Sequence, residues 1–225
     1  MAMLQNPYRF DPYTKLLIHM RGADESTSFL DASPSAHTIT PVGDVQIDTA
    51  QYKFAPSSGL FDGTGDYLTV PNSADWHFAD GNFTLDFWLR FSSLANCTFL
   101  NQYPSGNRSW QIYFSTSTGA HFTYSTDGSN GTDVAFAWSP SIDTWYHISF
   151  VRLGANLIGR IDGTQIGATH NIGASSIFDS ASYLGVSKQS DYGGNYFPGH
   201  FQEIRILKGL GAWATDFTPP TKAYN

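Results

Sequence analysis

Asp86, Trp88 and Arg90 recur at every second position of the run Phe83–Phe91. In a strand that spacing puts Phe83, Leu85, Phe87, Leu89 and Phe91 on one face, and Thr84, Asp86, Trp88 and Arg90 on the other. A tryptophan between an acid and a base is equipment for holding a sugar ring: the indole stacks on the ring while the charged groups reach its hydroxyls. Gln111 and Tyr113 share a face opposite Trp110, Ile112 and Phe114, and they offer the same kind of contact. The competing expectation is that a loop covers this face and Trp88 is an outer layer of core. Tyr103, Tyr192 and Tyr196 stand in turn-rich segments and are further candidates, with turn packing as the alternative.

Catalysis would need more than this. A glycosidase needs two carboxyl groups roughly 5 to 10 Å apart, and the only glutamates are Glu25 and Glu203. Asp62 and Asp66 flank glycine-rich turn positions, where aspartate more often caps its own backbone. The seven histidines are dispersed with no His-Glu-x-x-His spacing, and no Gly-x-Ser-x-Gly elbow occurs. His147, inside an apolar run, is expected to be a tucked histidine with one satisfied nitrogen. The residues therefore predict a protein that is not an enzyme.

The elements that must position these side chains are many and short. Glycine at 21 and proline at 11, with abundant Ser, Thr, Asn and Asp, punctuate alternating apolar runs throughout 225 residues. Strands are predicted near 16–20, 37–40, 45–47, 59–61, 67–70, 83–91, 97–103, 109–116, 120–126, 133–139, 145–153, 183–186 and 201–207. Asp162-Gly163 between two apolar runs is a strong hairpin signal. A dozen strands without an amphipathic helix predict an all-β, two-sheet antiparallel sandwich over residues 15–225.

Net charge is −7, with twelve Lys and Arg scattered singly, so no basic stripe exists for nucleic acid. No apolar run approaches the length of a membrane span, and the first residues lack the pattern of a secretory signal, so neither membrane nor Sec export is expected. Cys97, the single cysteine, forms no intrachain disulfide and reads as a small buried hydrophobe. Residues 1–14 read as an arm in which Tyr8, Phe10 and Tyr13 alternate with Pro7 and Pro12. Such a strip either docks on a partner or a neighbouring copy, or folds back on its own sheet.

The segments FDGTGDYLTVP, FTLDFWLRF, TWYHISFVR, GRIDGTQIG, YFPGHFQEIRILKG and TDFTPPTKAY, in this order, resemble the concanavalin A-like, laminin G-like jelly-roll family. The lead-in LLIHMRGADESTSFLDAS is similar to that of modules on bacteriophage tail and other virion proteins, and the resemblance spans residues 16–224. It implies a jelly-roll sandwich and a non-catalytic, lectin-like recognition or decoration module on a virion surface, with a glycan or other virion proteins as partners. Two alternatives remain, a structural virion protein that binds no glycan and a glycan-cleaving enzyme with an Asp-based site. Related jelly rolls often hold Ca2+, which makes Asp127 and Asp133, in an oxygen-rich loop, candidate ligands against a plain hairpin loop. Asp31, in a segment similar to one that ends in Asp-Ser-Ser-Gly, is another.

Overall fold

The computed structural model describes residues 12–188 and 194–225. Chain order begins with β1 (Thr14–Ile18), β2 (Thr40–Val42), β3 (Gln46–Asp48), β4 (Ser58–Asp62), β5 (Tyr67–Val70), β6 (Phe83–Phe91), β7 (Cys97–Gln102) and β8 (Trp110–Ser115). It continues with β9 (Gly119–Tyr124), β10 (Thr132–Phe136), β11 (Trp145–Leu153), β12 (Asn156–Ile161), β13 (Thr164–Asn171), β14 (Leu184–Val186) and β15 (Pro198–Lys208). One sheet runs β13-β12-β11-β6-β15-β4-β3, with β1 also paired to β15; the other runs β10-β9-β8-β7-β14-β5-β2. This is the two-sheet antiparallel sandwich that the alternation and turn chemistry predict.

The inner faces meet through aromatic side chains. Phe83, Leu85, Phe87, Leu89 and Phe91 are fully buried, as the period-two pattern of β6 demands. Across the gap Phe83 stacks on Phe122, Phe87 meets Phe99 edge-on, and Phe91 tilts against Phe114. At the β12–β13 turn Asp162 (φ 49°) and Gly163 (φ 77°) are both left-handed, as a two-residue hairpin requires.

The long strand β15 ties the larger sheet together. It pairs with β6 on one side, and on the other with β4 along Pro198–Phe201 and with β1 along Ile204–Leu207. The switch coincides with a register shift between Gln202 and Arg205, where Glu203 takes φ 55°. A bulge of this kind re-aims side chains, and Glu203 accepts from His19 Nδ1 at 2.9 Å and the Tyr224 amide at 2.9 Å.

The predicted boundary of the N-terminal arm needs correction. Thr14 is the first residue of β1 and lies opposite Leu207, and the Tyr13 carbonyl accepts from Lys208 N at 2.9 Å. Tyr13 is thus fixed along the sandwich by main-chain pairing. Tyr8 and Phe10 lie outside the described residues.

Candidate functional site

The outer face of the smaller sheet carries a polar cluster around Tyr113. Trp110, Ile112 and Phe114 face the core, so β8 turns Gln111 and Tyr113 outward. Register places Tyr113 between Thr98 of β7 and His121 of β9, and Thr123 opposite Asp133 of β10. The Tyr113 and His121 rings stack at 4.3 Å with 16° between planes. Asp133 accepts from His121 Nδ1 at 2.8 Å, Thr123 Oγ1 at 2.6 Å and Tyr113 Oη at 3.2 Å. His121 Nε2 pairs with Thr118 Oγ1 at 2.7 Å, so the imidazole is held at both nitrogens. Burial opposes ionisation of Asp133, yet the bonds from His121 and Thr123 keep its carboxyl below the usual range. Burial, reinforced by Asp133, pushes the Tyr113 phenol up, so it remains protonated.

Beside this cluster opens a cavity of about 330 Å3, lined among others by Asn96, Thr98, Gln111, Tyr113, Ser115 and Thr118. Gln111 is 8% exposed, and its Oε1 is buried without a hydrogen-bond partner. A buried carbonyl oxygen left unpaired costs free energy that a donor from a ligand would recover. Of the residues predicted to bind carbohydrate, the structure brings Gln111 and Tyr113 together here. His121 and Thr118, which complete the cluster, escaped the sequence reading, because the register of β9 against β8 is what places them.

Asp86, Trp88 and Arg90 do not form the open stacking face that their spacing predicts. Asp86 is fully buried, and Trp88 is 3% exposed. The turn that precedes β4 lays Phe54 edge-on to Trp88 at 5.6 Å and sets Lys53 Nζ 4.2 Å from the ring centroid. The segment after β15 covers the rest. Tyr224 Oη donates to Asp86, Trp213 and Phe217 stack on each other at 4.1 Å, and both meet the fully buried His147 edge-on. Arg205 Nε donates to Asp86 at 2.9 Å, and His147 Nε2 lies 3.3 Å from it. Burial would raise the Asp86 carboxyl, but the Arg205 guanidinium and His147 hold it below its ordinary range. Arg90 pairs with Asp143 at 2.6 Å.

The predicted cation ligands also have other occupations. Asp31 Oδ1 accepts from the amides of Leu17 and Ser33, and its Oδ2 from Ser33 Oγ and the His37 amide, which makes it an anchor for the loop after β1. Asp127 caps its own turn through the amides of Ser129 and Asn130, as the hairpin alternative anticipates. Asp133 serves the Tyr113 cluster. Among the described residues the carboxylates that converge are Asp44, Asp62 and Asp66, each offering an oxygen within 4.8 Å of the others. Asp66 accepts from the amides of Asp44 at 2.8 Å and Asp62 at 2.9 Å. Burial, opposed by the Asp62 amide and aided by the neighbouring carboxylates, pushes its carboxyl up to about 6.

The loop aromatics divide similarly. Tyr103 is 8% exposed, Tyr196 stacks on Tyr67 at 6.2 Å, and Tyr192 lies outside the described residues. No helix among the described residues is long and apolar enough to cross a membrane.

Residues 62–210 match the family model described as the concanavalin A-like lectin/glucanases superfamily. No curated protein matches the chain. Among solved structures, the binding domain of Paraclostridial Mosquitocidal Protein 1 aligns with a TM-score of 0.71 at 15% identity, over 90% of this chain and 51% of that one. The binding domain of botulinum neurotoxin DC, solved with rat synaptotagmin II, aligns with a TM-score of 0.66 at 14% identity, over 90% and 50%. A botulinum neurotoxin type C structure, whose cell entry is described as dependent on two ganglioside molecules, aligns with a TM-score of 0.65 at 16% identity, over 88% and 49%. The chain spans about half the length of each of these three structures, and at such identity the likeness is one of fold.

Proposed function

The chain belongs to the concanavalin A-like lectin/glucanases superfamily, and from that premise we propose that it is a non-catalytic carbohydrate-recognition module whose site is the Tyr113 cavity. The observation that carries this reading is the buried, unpartnered Gln111 Oε1 beside a tyrosine ring fixed by His121 and Asp133. A saccharide supplies the hydroxyl donor that Gln111 lacks and a flat C–H face for the side of the tyrosine ring that His121 does not cover. Asn96, Thr98, Ser115 and Thr118 are neutral, so the ligand is a neutral, hydroxyl-rich sugar. Glycosidase chemistry is disfavoured because the carboxylate nearest this cluster, Asp133, is engaged by three donors, and a second acid is needed across the bond.

Among the solved structures of like fold, one is described with cell entry dependent upon interaction with two ganglioside molecules and another is a binding domain in complex with rat synaptotagmin II, which supports a cell-surface partner for this chain. The setting we propose is a virion surface, on the strength of the lead-in and core motifs; co-sedimentation of the protein with particles tests it. The binding test is a glycan array followed by titration calorimetry with the neutral oligosaccharides that score. One stacking platform predicts affinities of roughly millimolar to micromolar. Tyr113→Ala and Gln111→Ala should each weaken binding about tenfold while the melting temperature of Gln111→Ala stays near that of the natural chain. Silence of the intact protein across the array at high concentration would leave the structural-protein alternative standing.

A further inference from the structure

A second groove lies on the other sheet, between the turn before β4 and the segment that follows β15. Two cavities, of about 490 and 480 Å3, share Lys53, Phe54 and Thr221 in their linings and so adjoin as the two halves of a trough. Trp88 and Trp145 line its first half, with Pro219 and Pro220 opposite; Arg21 and Lys222 line the second half. Three of the twelve Lys and Arg of a chain with net charge −7 therefore border this one trough. The acid beside them in the first half is Asp162, one of whose oxygens accepts the His147 amide at 2.8 Å.

The walls are fixed before any ligand arrives. Gln202, fully buried, accepts from the amides of Lys53 and Phe54 at 2.9 and 3.0 Å and donates to the carbonyls of Phe54 and Ser57, which clamps the loop. The opposite wall is pinned where the Phe217 amide donates to the Gly163 carbonyl at 3.0 Å. Lys53 itself is exposed, with its ammonium held over the Trp88 indole, whose Nε1 is buried without a partner. A cation poised over an indole, on a loop whose main chain is clamped, suits an anion attached to a ring.

We propose that this trough is a second binding site, distinct from the Tyr113 cavity, and that it takes an acidic saccharide, with the ligand carboxylate on Lys53 and a sugar ring against Trp145. The basic border selects negative charge, in contrast to the neutral lining of the first site. An acidic peptide fits less well: Trp88 and Trp145 stand on β6 and β11, both internal strands paired on each side, so the floor offers no free row of main-chain groups for an extended peptide.

The test follows the Trp88 and Trp145 indole N–H signals of the full chain by 1H–15N NMR during titration with hexagalacturonate and with a trimer of α2,8-linked sialic acid. At least one acidic oligosaccharide should shift them in a saturable, salt-sensitive way, and fully methyl-esterified hexagalacturonate should not. Lys53→Ala should weaken that binding about tenfold with unchanged melting temperature, and Lys53→Arg should retain it. Tyr113→Ala should leave it intact, which separates failure here from failure of the neutral-sugar site. The proposal is overturned if neither acidic sugar shifts the indoles, if the esterified oligomer binds equally, if Lys53→Ala changes nothing, or if hexaglutamate binds as well as the sugars.

Discussion

Two buried aspartates show how the same side chain responds to opposite surroundings. Asp86 is surrounded by donors, the Arg205 guanidinium, His147 and the Tyr224 phenol, so its charged form is favoured. Its contribution to stability is present above the unfolded carboxylate pKa and is lost as pH falls through the lower folded value. Asp66 has two amide donors but two carboxylate neighbours, and its carboxyl is raised to about 6. The sign reverses: its contribution is fully present below the unfolded value near 4 and is lost as pH rises through about 6. Asp66→Asn has no such titration, although it forfeits one of the two amide bonds. Its deficit against the natural chain should therefore narrow by about 1–2 kcal/mol between pH 4 and pH 7, solvent screening included, measured by urea unfolding at each pH. A deficit independent of pH would show that Asp66 titrates normally. If a cation is held by the three carboxylates, adding Ca2+ would lower the Asp66 pKa and shrink this pH dependence.

At the scale of elements, β6 carries the clearest signal and the clearest misreading. Its alternation made the core face legible, because period two alone decides which side chains share a face. What lay beyond the sequence was the fate of the other face. Its cover comes from Lys53 and Phe54, more than thirty positions before Trp88, and from Trp213, Phe217 and Tyr224, more than a hundred positions after. The hairpin at Asp162-Gly163 was legible for the opposite reason, since its information is local. That turn also seats the covering segment: a Cβ on Gly163 would overlap the Phe217 carbonyl, and φ is 77°. Gly163→Ala should therefore cost about 1–3 kcal/mol and loosen the segment after β15. Faster chymotrypsin cleavage at Phe217 than in the natural chain is the expected readout; unchanged cleavage would mean that the segment is held elsewhere.

For the whole molecule, the sandwich is closed by its two ends. β1 pairs with β15, so Thr14 lies opposite Leu207 and Ile18 opposite Ile204, and the larger sheet is incomplete until nearly the full chain is present. Leu16, Leu17 and Ile18 are 0–3% exposed, and each side chain of this kind contributes roughly 1.5–3 kcal/mol when buried. Against a net stability of about 5–15 kcal/mol, losing three of them together with a row of main-chain bonds is close to the whole margin. Two truncations separate the strand from the residues before it. Removal of residues 1–11 tests the arm alone: if Tyr8 and Phe10 dock on a partner, attachment is what this truncation abolishes. Removal of residues 1–18 should leave a chain without a cooperative thermal transition, with near-ultraviolet circular dichroism lost. A sharp transition in the shorter chain would mean that β15 finds sufficient partners in β6 and β4 alone, and that β1 is an addition to the fold and not its closure.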